Sequence, residues 1–313
     1  MEHDMGYSRH DASTYRSWSS TATASGDLRS SVTAHSFTAA SVRKDFDPKQ
    51  IKIRESKASD INPHPTPLIV ALDVSGSMGR VVAAMHRGLG TLFEQIIDRH
   101  PITDPHVLAM AIGDMDYDRS PVQATQFEAD GITIGMQIED LYLERGGGNN
   151  DHESYLGPLY FAAMRTDCDA FKEGRKGFLF TVGDEEPQHV LTKKQIESFF
   201  GDQPREDLSA ESLVSLVSRK WEYFHLIVEE GSYASHRLDK VRKVWTDLLG
   251  QRAIPLSDHT KMAEVIISLI EVTVGRDKDT VSRSWSGDTS MVVRKAVQDL
   301  IPTASPGSGP VAL

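Results

Sequence analysis

Four apolar runs of strand length, which alternate with segments of helical spacing, constrain the fold of this chain more than any other feature. The runs cover residues 68–72, 106–112, 177–182 and 223–228. A short, continuous apolar run is typical of a strand that is buried on both faces of a sheet. Strands that alternate with helices predict an α/β fold with a doubly wound, mainly parallel sheet, and right-handed crossovers place helices on both faces.

The segments between these runs have apolar residues three or four positions apart, which is the spacing of a helix buried on one side. The longest predicted helix is Gly79–Arg99, directly after the first strand. Further helices are predicted at residues 153–165, Lys193–Phe200, 236–249 and 258–272, short strands and a helix within 122–143, and a short edge strand at 253–256.

A predicted domain at residues 61–275 lies between two flanking segments of different composition. Residues 1–60 form a Ser/Thr-rich flexible arm, because most of this segment lacks the apolar surface that would offset its ordering entropy. Residues 50–55 of the arm alternate apolar and polar side chains, which predicts a short edge strand. Residues 276–313 form a tail with a weak helical pattern near 291–300 and a Pro/Gly/Ser-rich end.

Composition and charge exclude several classes of function. The formal net charge of −11 argues against a nucleic-acid partner, because phosphate contacts need clustered Lys and Arg. No stretch approaches the roughly 18–20 apolar residues that cross a bilayer, and the amino terminus lacks the pattern of a secretory signal. The single cysteine, Cys168, excludes an internal disulfide. We therefore expect a cytoplasmic protein without a membrane partner.

Carboxylates follow each of the four apolar strands, at Asp73, Asp114, Asp184 and the pair Glu229 and Glu230. Ligands of open parallel sheets bind outside the carboxyl ends of the strands, and acidic groups gathered there suit a cation. A polar residue after an apolar strand also simply begins a loop. For Asp114 or Glu229 alone, this second interpretation is the better one.

The loop after the first strand is the strongest candidate for a metal site. Asp73, Ser75 and Ser77 place one carboxylate and two hydroxyls at alternate positions between a buried strand and a long helix. Hard oxygen donors with few formal charges favour Mg²⁺, with Mn²⁺ as the alternative, over Zn²⁺ or a Ca²⁺ cage. An N-cap role for Ser77 is compatible with this prediction.

The segment Ile-Val-Ala-Leu-Asp-Val-Ser-Gly-Ser-Met at residues 69–78 resembles the first strand and DxSxS motif of von Willebrand factor A domains. The resemblance runs from about residue 67 to 274. In that family the DxSxS loop, a Thr-bearing loop and an Asp after the fourth strand form a metal-ion-dependent adhesion site. Phe-Thr-Val-Gly-Asp, which ends at Asp184, is similar to that fourth strand. Because the first and fourth strands are neighbours in the family, the resemblance implies that Asp73 and Asp184 face one ion.

The second loop departs from the family pattern. Where the family usually has its Thr, residues 146–154 read Gly-Gly-Gly-Asn-Asn-Asp-His-Glu-Ser. Asn149, Asn150 or Glu153 could supply an oxygen to the metal, directly or through water. The glycine run could instead be a plain flexible hinge, which its position between the two other metal loops makes the less favoured interpretation.

No recognised catalytic motif accompanies the predicted metal site. The sequence lacks a Walker A loop, a Gly-x-Ser-x-Gly elbow and an HExxH pair. His152 and His189 adjoin the loops, where each is either a solvated side chain or an acid or base. The prediction is a protein that is not an enzyme.

Three functions remain open at this point. The first is a metal-dependent protein-interaction or adaptor module, because the family's ion keeps one coordination position for a partner's Glu or Asp; the resemblance also implies an AAA+ ATPase as a partner. The alternative is a structural or assembly component of a phage particle or multi-protein complex, which the flexible arms would suit. A metal-assisted hydrolase, with Asp184 or His152 as base, is the least favoured. The chain also resembles uncharacterised bacterial and phage-type A-domain proteins, which supply no activity.

Overall fold

The structure is a computed structural model that describes residues 39, 41–75, 78–142 and 152–301, and within the helix Gly79–Arg99 it leaves out the side chains of 79–87 and 90. Three predicted site residues, Ser77, Asn149 and Asn150, lie outside the described residues.

The described residues form twelve β-strands. In chain order they are β1 (Arg54–Ser56), β2 (Thr66–Asp73), β3 (Pro105–Ile112), β4 (Val122–Ala124), β5 (His152–Glu153), β6 (Thr166–Cys168), β7 (Gly177–Gly183), β8 (Glu186–Pro187), β9 (Val190–Leu191), β10 (Leu208–Ser209), β11 (Trp221–Val228) and β12 (Ala253–Leu256).

Six of these strands form the central sheet in the order β12-β11-β7-β2-β3-β4. Every neighbouring pair is parallel except β3 and β4, which are antiparallel. All residues of β2, β3, β7 and β11 are buried, which explains their continuous apolar sequences. The predicted doubly wound, mainly parallel sheet is confirmed.

The described residues also form ten α-helices. They are α1 (Gly79–Arg99), α2 (Gly131–Glu139), α3 (Leu156–Met164), α4 (Asp169–Lys172), α5 (Lys193–Phe200), α6 (Ala210–Val217), α7 (Ala234–Leu249), α8 (Met262–Thr273), α9 (Lys278–Arg283) and α10 (Gly287–Val297).

Helices cover both faces of the sheet, because successive side chains of each strand point to opposite sides. Val70 and Leu72 of β2 belong to the core that also contains residues of α1, α2, α8 and α10. Ile69 and Ala71 belong to the opposite core, with residues of α3, α5, α6 and α7. Buried residues of the flanks, such as Phe46, join the first of these cores.

The structure differs from the sequence prediction in several elements. The strand expected at residues 50–55 forms at β1 and pairs with β6, outside the central sheet. The helix expected from 153 begins later as α3, because β5 pairs with β8. The helix expected over 258–272 is divided into a 3₁₀ turn, His259–Lys261, and α8. Helix α6 was not predicted, although Ser209 caps it and Leu213 and Val217 have helical spacing.

No helix among the described residues has both the length and the apolar character that a membrane span requires. Cys168 is buried at the end of β6, and burial raises the pKa of its thiol to about 12. This agrees with an inert core residue.

Candidate functional site

The sheet order brings the carboxyl ends of β11, β7, β2 and β3 side by side along one edge. The register aligns Leu72 of β2 with Val182 of β7, so Asp73 and Asp184 leave neighbouring strands at the same level. This neighbouring position of the first and fourth strands of the sheet is the one that the family resemblance implied.

Asp73 is completely buried, and neutral donors hold both of its carboxylate oxygens. The Ser75 amide donates to Oδ1 over 2.8 Å, and the Tyr155 hydroxyl donates to Oδ2 over 2.8 Å. Burial, followed by the charge of Asp184, raises the pKa of Asp73 to about 7, although hydrogen bonds from Ser75 and Tyr155 act in the opposite direction. A nearby cation would oppose this shift, because it stabilises the charged form of the carboxyl group.

Asp184 is also completely buried, and the loop after β11 holds it. The Tyr233 amide donates to Asp184 Oδ2 over 2.8 Å. Gly231 packs so tightly on this carboxylate that a Cβ there would lie 2.4 Å from Oδ2. The position therefore requires glycine, because any side chain would displace Asp184.

Glu153 enters the same cluster from the second loop. The pairing of β5 with β8 aligns Glu153 with Pro187, which fixes the loop beside the segment that follows Asp184. Burial, followed by the charges of Asp73 and other nearby carboxylates, raises the pKa of Glu153 to about 11. Its Oε2 atom is buried and has no hydrogen-bond partner among the described residues.

Asp114 completes what we call the acidic cluster, which consists of Asp73, Asp114, Glu153 and Asp184. Asp114 is buried after β3, and its Oδ1 accepts a hydrogen bond from the Asp116 amide over 2.8 Å. Within the described part of the chain, its buried Oδ2 lacks a hydrogen-bond partner. The loop interpretation of this residue is therefore incomplete, because Asp114 also adds charge to the cluster around Glu153.

A divalent cation fits this arrangement. Buried carboxylates repel each other and lose hydration, and a cation compensates both costs. Two oxygen atoms, Asp114 Oδ2 and Glu153 Oε2, are buried without a hydrogen-bond partner among the described residues. The oxygen-only donor set, with the Ser75 hydroxyl alongside, has the chemistry that Mg²⁺ or Mn²⁺ prefers.

The two histidines that the sequence singled out do not enter the acidic cluster. His152 Nε2 lies 3.7 Å from Asp116 Oδ2, at the partly exposed rim. The exposed His189 precedes β9, and its carbonyl accepts a hydrogen bond from the Ala210 amide. Neither contact resembles the position of an acid or base on a reacting group.

Sequence reasoning missed the two tyrosines that hold the cluster. Tyr155 contacts Asp73 through its side chain, and Tyr233 contacts Asp184 through its backbone. The position of Tyr155, two residues after Glu153, was the available signal. An aromatic residue at the start of an apolar helix is, however, ordinary core material, so the sequence pattern did not distinguish it.

The rim beside α7 carries positive charge next to the acidic cluster. Lys240 Nζ lies 2.7 Å from Glu186 Oε1, and the Tyr233 hydroxyl donates to the same oxygen over 2.9 Å. The guanidinium of Arg237 lies 4.9 Å from the centre of the Tyr233 ring. At this rim Lys240 is therefore paired with an acidic side chain, and Arg237 packs on an aromatic ring.

A second group at the same edge of the sheet has metal-binding residue types. Ligand atoms of Glu230, Asp258 and His259 lie within 4.8 Å of one another, so this group could hold a metal ion. Its members already contact each other, since His259 Nδ1 lies 2.6 Å from Glu230 Oε2. Asp258 also accepts a hydrogen bond from the Thr260 amide over 2.9 Å, which is the ordinary role of a capping residue.

Comparisons with known proteins give structural likeness only. No protein-family model and no curated protein matches the chain. The pilus adhesin SpaC from Lactobacillus rhamnosus GG, in its open conformation, aligns with a TM-score of 0.43 and 11% identity over 74% of this chain and 31% of the adhesin. A second crystal structure of SpaC gives a TM-score of 0.42 and 12% identity over 70% of this chain and 32% of the adhesin.

A conserved hypothetical protein, BatB from Bacteroides thetaiotaomicron, aligns with a TM-score of 0.30 and 16% identity over 52% of this chain and 66% of BatB. The chain thus spans about a third of the adhesin, and these scores are too low to carry a function from either protein. The strand order and the adjacent Asp73 and Asp184 are observations of this chain itself. Together with the DxSxS loop, they give it a von Willebrand factor A-like fold.

Proposed function

We propose that this chain is a protein-interaction module that binds its partner through a divalent cation, with Mg²⁺ as the resident ion and Mn²⁺ as a substitute. Asp73, Ser75 and Asp184 would hold the ion, with Ser77 from the same loop. Glu153 is the second-loop ligand that we favour over Asn149 and Asn150, because its carboxylate lies in the acidic cluster. The ion supplies an electrophilic coordination position for an oxygen of the partner.

One observation carries this proposal. Four buried carboxylates lie together, and neither Asp73 nor Glu153 forms an ion pair with Lys or Arg among the residues that the structure describes. The Ser75 amide, the Ser75 side chain and the Tyr155 hydroxyl form hydrogen bonds with Asp73, and these groups stabilise the carboxylate but do not neutralise it. A fold that kept such a cluster only for stability would improve by replacing it with apolar groups. A cation gives the cluster a use.

The partner that suits this site offers a Glu or Asp side chain. A carboxylate is costly to desolvate unless a cation meets it, and the ion would do so. An AAA+ ATPase partner rests on the family resemblance alone.

The first experiment measures metal binding directly. Isothermal titration of the chelator-treated protein with Mn²⁺ and Mg²⁺ is expected to show a site that Asp73→Ala abolishes. Asp247→Ala is the matched control, because Asp247 is an exposed carboxylate that pairs with Lys243 on α7. Equal Mn²⁺ affinity in the wild type and Asp73→Ala would contradict the proposed site.

The second experiment tests the partner. Proteins captured by the immobilised wild type with Mg²⁺ are compared with those captured in chelator and by Asp73→Ala. The proposal expects a partner that is lost in both cases and that also loses binding when one of its own acidic residues is changed to the amide. Metal-independent capture, or a partner that tolerates all such changes, would refute the proposed mode of binding.

A further inference from the structure

Tyr155 connects all three loops around the acidic cluster. It follows the second loop directly and precedes the first residue of α3. Its hydroxyl donates to Asp73 Oδ2 in the first loop over 2.8 Å. The Tyr155 hydroxyl oxygen itself accepts a hydrogen bond of 3.4 Å from the Glu185 amide, in the loop after β7. The buried Tyr155 hydroxyl thus contacts the Asp73 side chain in one loop and the Glu185 backbone in the other.

Aromatic packing keeps the Tyr155 ring in place. The ring meets His225 and Trp245 edge-on, with centroids 5.0 Å and 5.3 Å away. His225 and Trp245 stack on each other at 3.5 Å. The Trp245 indole donates to the Glu185 carbonyl over 2.9 Å, so this aromatic group holds Glu185 through both its N–H and its C=O. Buried rings that pack against one another in this way have little freedom to move.

The Tyr155 hydroxyl fits beside the end of β7 only because residue 183 is a glycine. A Cβ at Gly183 would lie 1.9 Å from the Tyr155 hydroxyl oxygen and 2.9 Å from Asp73 Cβ. Strand β7 therefore ends in a glycine immediately before Asp184, and the hydroxyl occupies the space that a side chain at residue 183 would fill. The close approach ties Tyr155 to the geometry of the cluster and not only to the core.

A neutral donor suits the carboxylate of a metal site. An Arg or Lys at the position of the hydroxyl would neutralise Asp73 and compete with the ion. The Tyr155 hydroxyl orients the carboxylate and leaves its charge and its remaining lone pairs for a cation. Groups that orient metal ligands in this way typically change metal affinity by about 10- to 100-fold when they are removed.

We propose that Tyr155 is a positioning residue of the metal site, which holds Asp73 and the Asp184–Glu185 turn in place before the ion binds. This inference rests on the metal site of the proposed function. It adds that a tyrosine hydroxyl holds the metal ligands in position before the ion binds. The ion would then bind without the cost of ordering the loops that carry Asp73 and Asp184.

Tyr155→Phe removes the hydroxyl and keeps the ring. We expect its Mn²⁺ dissociation constant, measured by isothermal titration, to rise about 10-fold or more. The matched control is Tyr160→Phe on the same helix, whose hydroxyl donates to Asp202 Oδ2 over 2.8 Å, away from the acidic cluster. All proteins in the titration carry His259→Gln, so that the group of Glu230, Asp258 and His259 does not contribute to the signal.

Hydrogen exchange of the metal-free proteins supplies a measurement that a merely structural role would not change. The Ser75 and Glu185 amides are expected to lose protection in Tyr155→Phe and to keep it in Tyr160→Phe. The metal-free wild type provides a test that does not depend on whether a variant folds. Preorganisation requires that these two amides are protected in the wild type before Mn²⁺ is added. Unprotected amides in the metal-free wild type would overturn the inference.

The titrations separate the two proposals. If the wild type binds Mn²⁺ no better than Asp73→Ala, the metal site itself is wrong. If the wild type binds at the Asp73 site and Tyr155→Phe binds within twofold of it, the metal site stands and the role of Tyr155 is refuted. A similar loss of affinity in Tyr160→Phe would also refute it, because the effect would then follow general destabilisation of α3.

Discussion

Two completely buried acidic side chains of this protein, Glu271 and Asp73, lie in opposite electrostatic environments. Glu271 on α8 accepts two 3.0 Å hydrogen bonds from Arg99 at the end of α1, and a third, of 2.6 Å, from Arg276. Asp73 accepts hydrogen bonds from an amide and a hydroxyl, and its strongest charged neighbour is another carboxylate, Asp184.

The difference shows that the fold is able to neutralise a buried carboxylate and does so where the role is structural. Arg99 also packs over Trp285, with its guanidinium 4.2 Å from the ring centre, so the Glu271 pair joins α1, α8 and the segment after α9. At the acidic cluster, neither Asp73 nor Glu153 pairs with a Lys or Arg within the part of the chain that the structure describes. The contrast distinguishes a group that supports the fold from one that suits a metal ion.

The largest expected effect of a single substitution comes from the structural side of this comparison. Glu271→Gln leaves two arginines without their carboxylate and should lower the free energy of unfolding by about 3 kcal/mol, the cost typical of breaking a buried ion pair. Urea unfolding in chelator and in Mg²⁺ should give the same loss. A loss that Mg²⁺ reverses would mean that the two regions are not independent.

The pH dependence of stability tests the acidic side. In the metal-free folded protein, Asp73 and Glu153 keep protons that the unfolded chain releases near their ordinary values of 3.8 and 4.5, because their folded pKa values are raised to about 7 and about 11. Their contribution to stability is complete below pH 4. The contribution of Asp73 is lost as the pH rises to about 7, and the contribution of Glu153 continues to fall through the whole neutral range.

Each of these groups contributes a slope of up to about 1.4 kcal/mol per pH unit in its window. Urea unfolding in chelator between pH 5 and 8 should therefore show falling stability, and excess Mg²⁺ should reduce the fall. Stability that is constant or rises over this range in chelator would contradict the raised pKa values.

A smaller effect is expected from Glu153→Gln, which mimics the protonated side chain. In chelator at pH 7 the variant should be as stable as the wild type or about 1 kcal/mol more stable, because its folding does not require the proton that the raised pKa of Glu153 makes the wild type take up. The Mg²⁺-induced rise in melting temperature should decrease or disappear. Destabilisation in chelator, as for Glu271→Gln, would show that Glu153 supports the fold and would weaken its assignment to the metal.

The smallest effect belongs to an exposed pair and sets the scale for the others. Asp247 and Lys243 lie four residues apart on α7 with most of both side chains exposed. Asp247→Asn should change the free energy of unfolding by less than about 0.5 kcal/mol, because solvent screens the pair. The same urea unfolding experiment measures it, and a loss above 1 kcal/mol would mean that substitutions at any acidic residue perturb this fold.

Much of the fold could be predicted because burial leaves a direct pattern in the chain. Strands β2, β3, β7 and β11 are buried on both faces and were found as apolar runs, and α1 was found with its observed bounds. Helix α6 was missed between two predicted elements. The strand at residues 50–55 was misplaced in the fold, because its partner β6 lies more than 100 residues away along the chain.

The candidate site was predictable in part for the same reason. Asp73, Ser75 and Asp184 follow buried strands in a recognisable motif, whereas the environment of Glu153 depends on the pairing of β5 with β8. Tyr155 and Gly231 have no motif at all. Their roles arise from close approaches between segments that are distant in the sequence, which local patterns do not record.

The sequence alone determined that the chain forms a doubly wound α/β sheet and that acidic residues gather at one edge of it, because strand periodicity and strand-end residues are local properties. Only the tertiary structure decided which carboxylates are buried together and which are neutralised. Glu271 and Asp73 are equally acidic in the sequence. The groups that surround them come from distant segments, and desolvation and neighbouring charge, not residue type, set the electrostatic character of each.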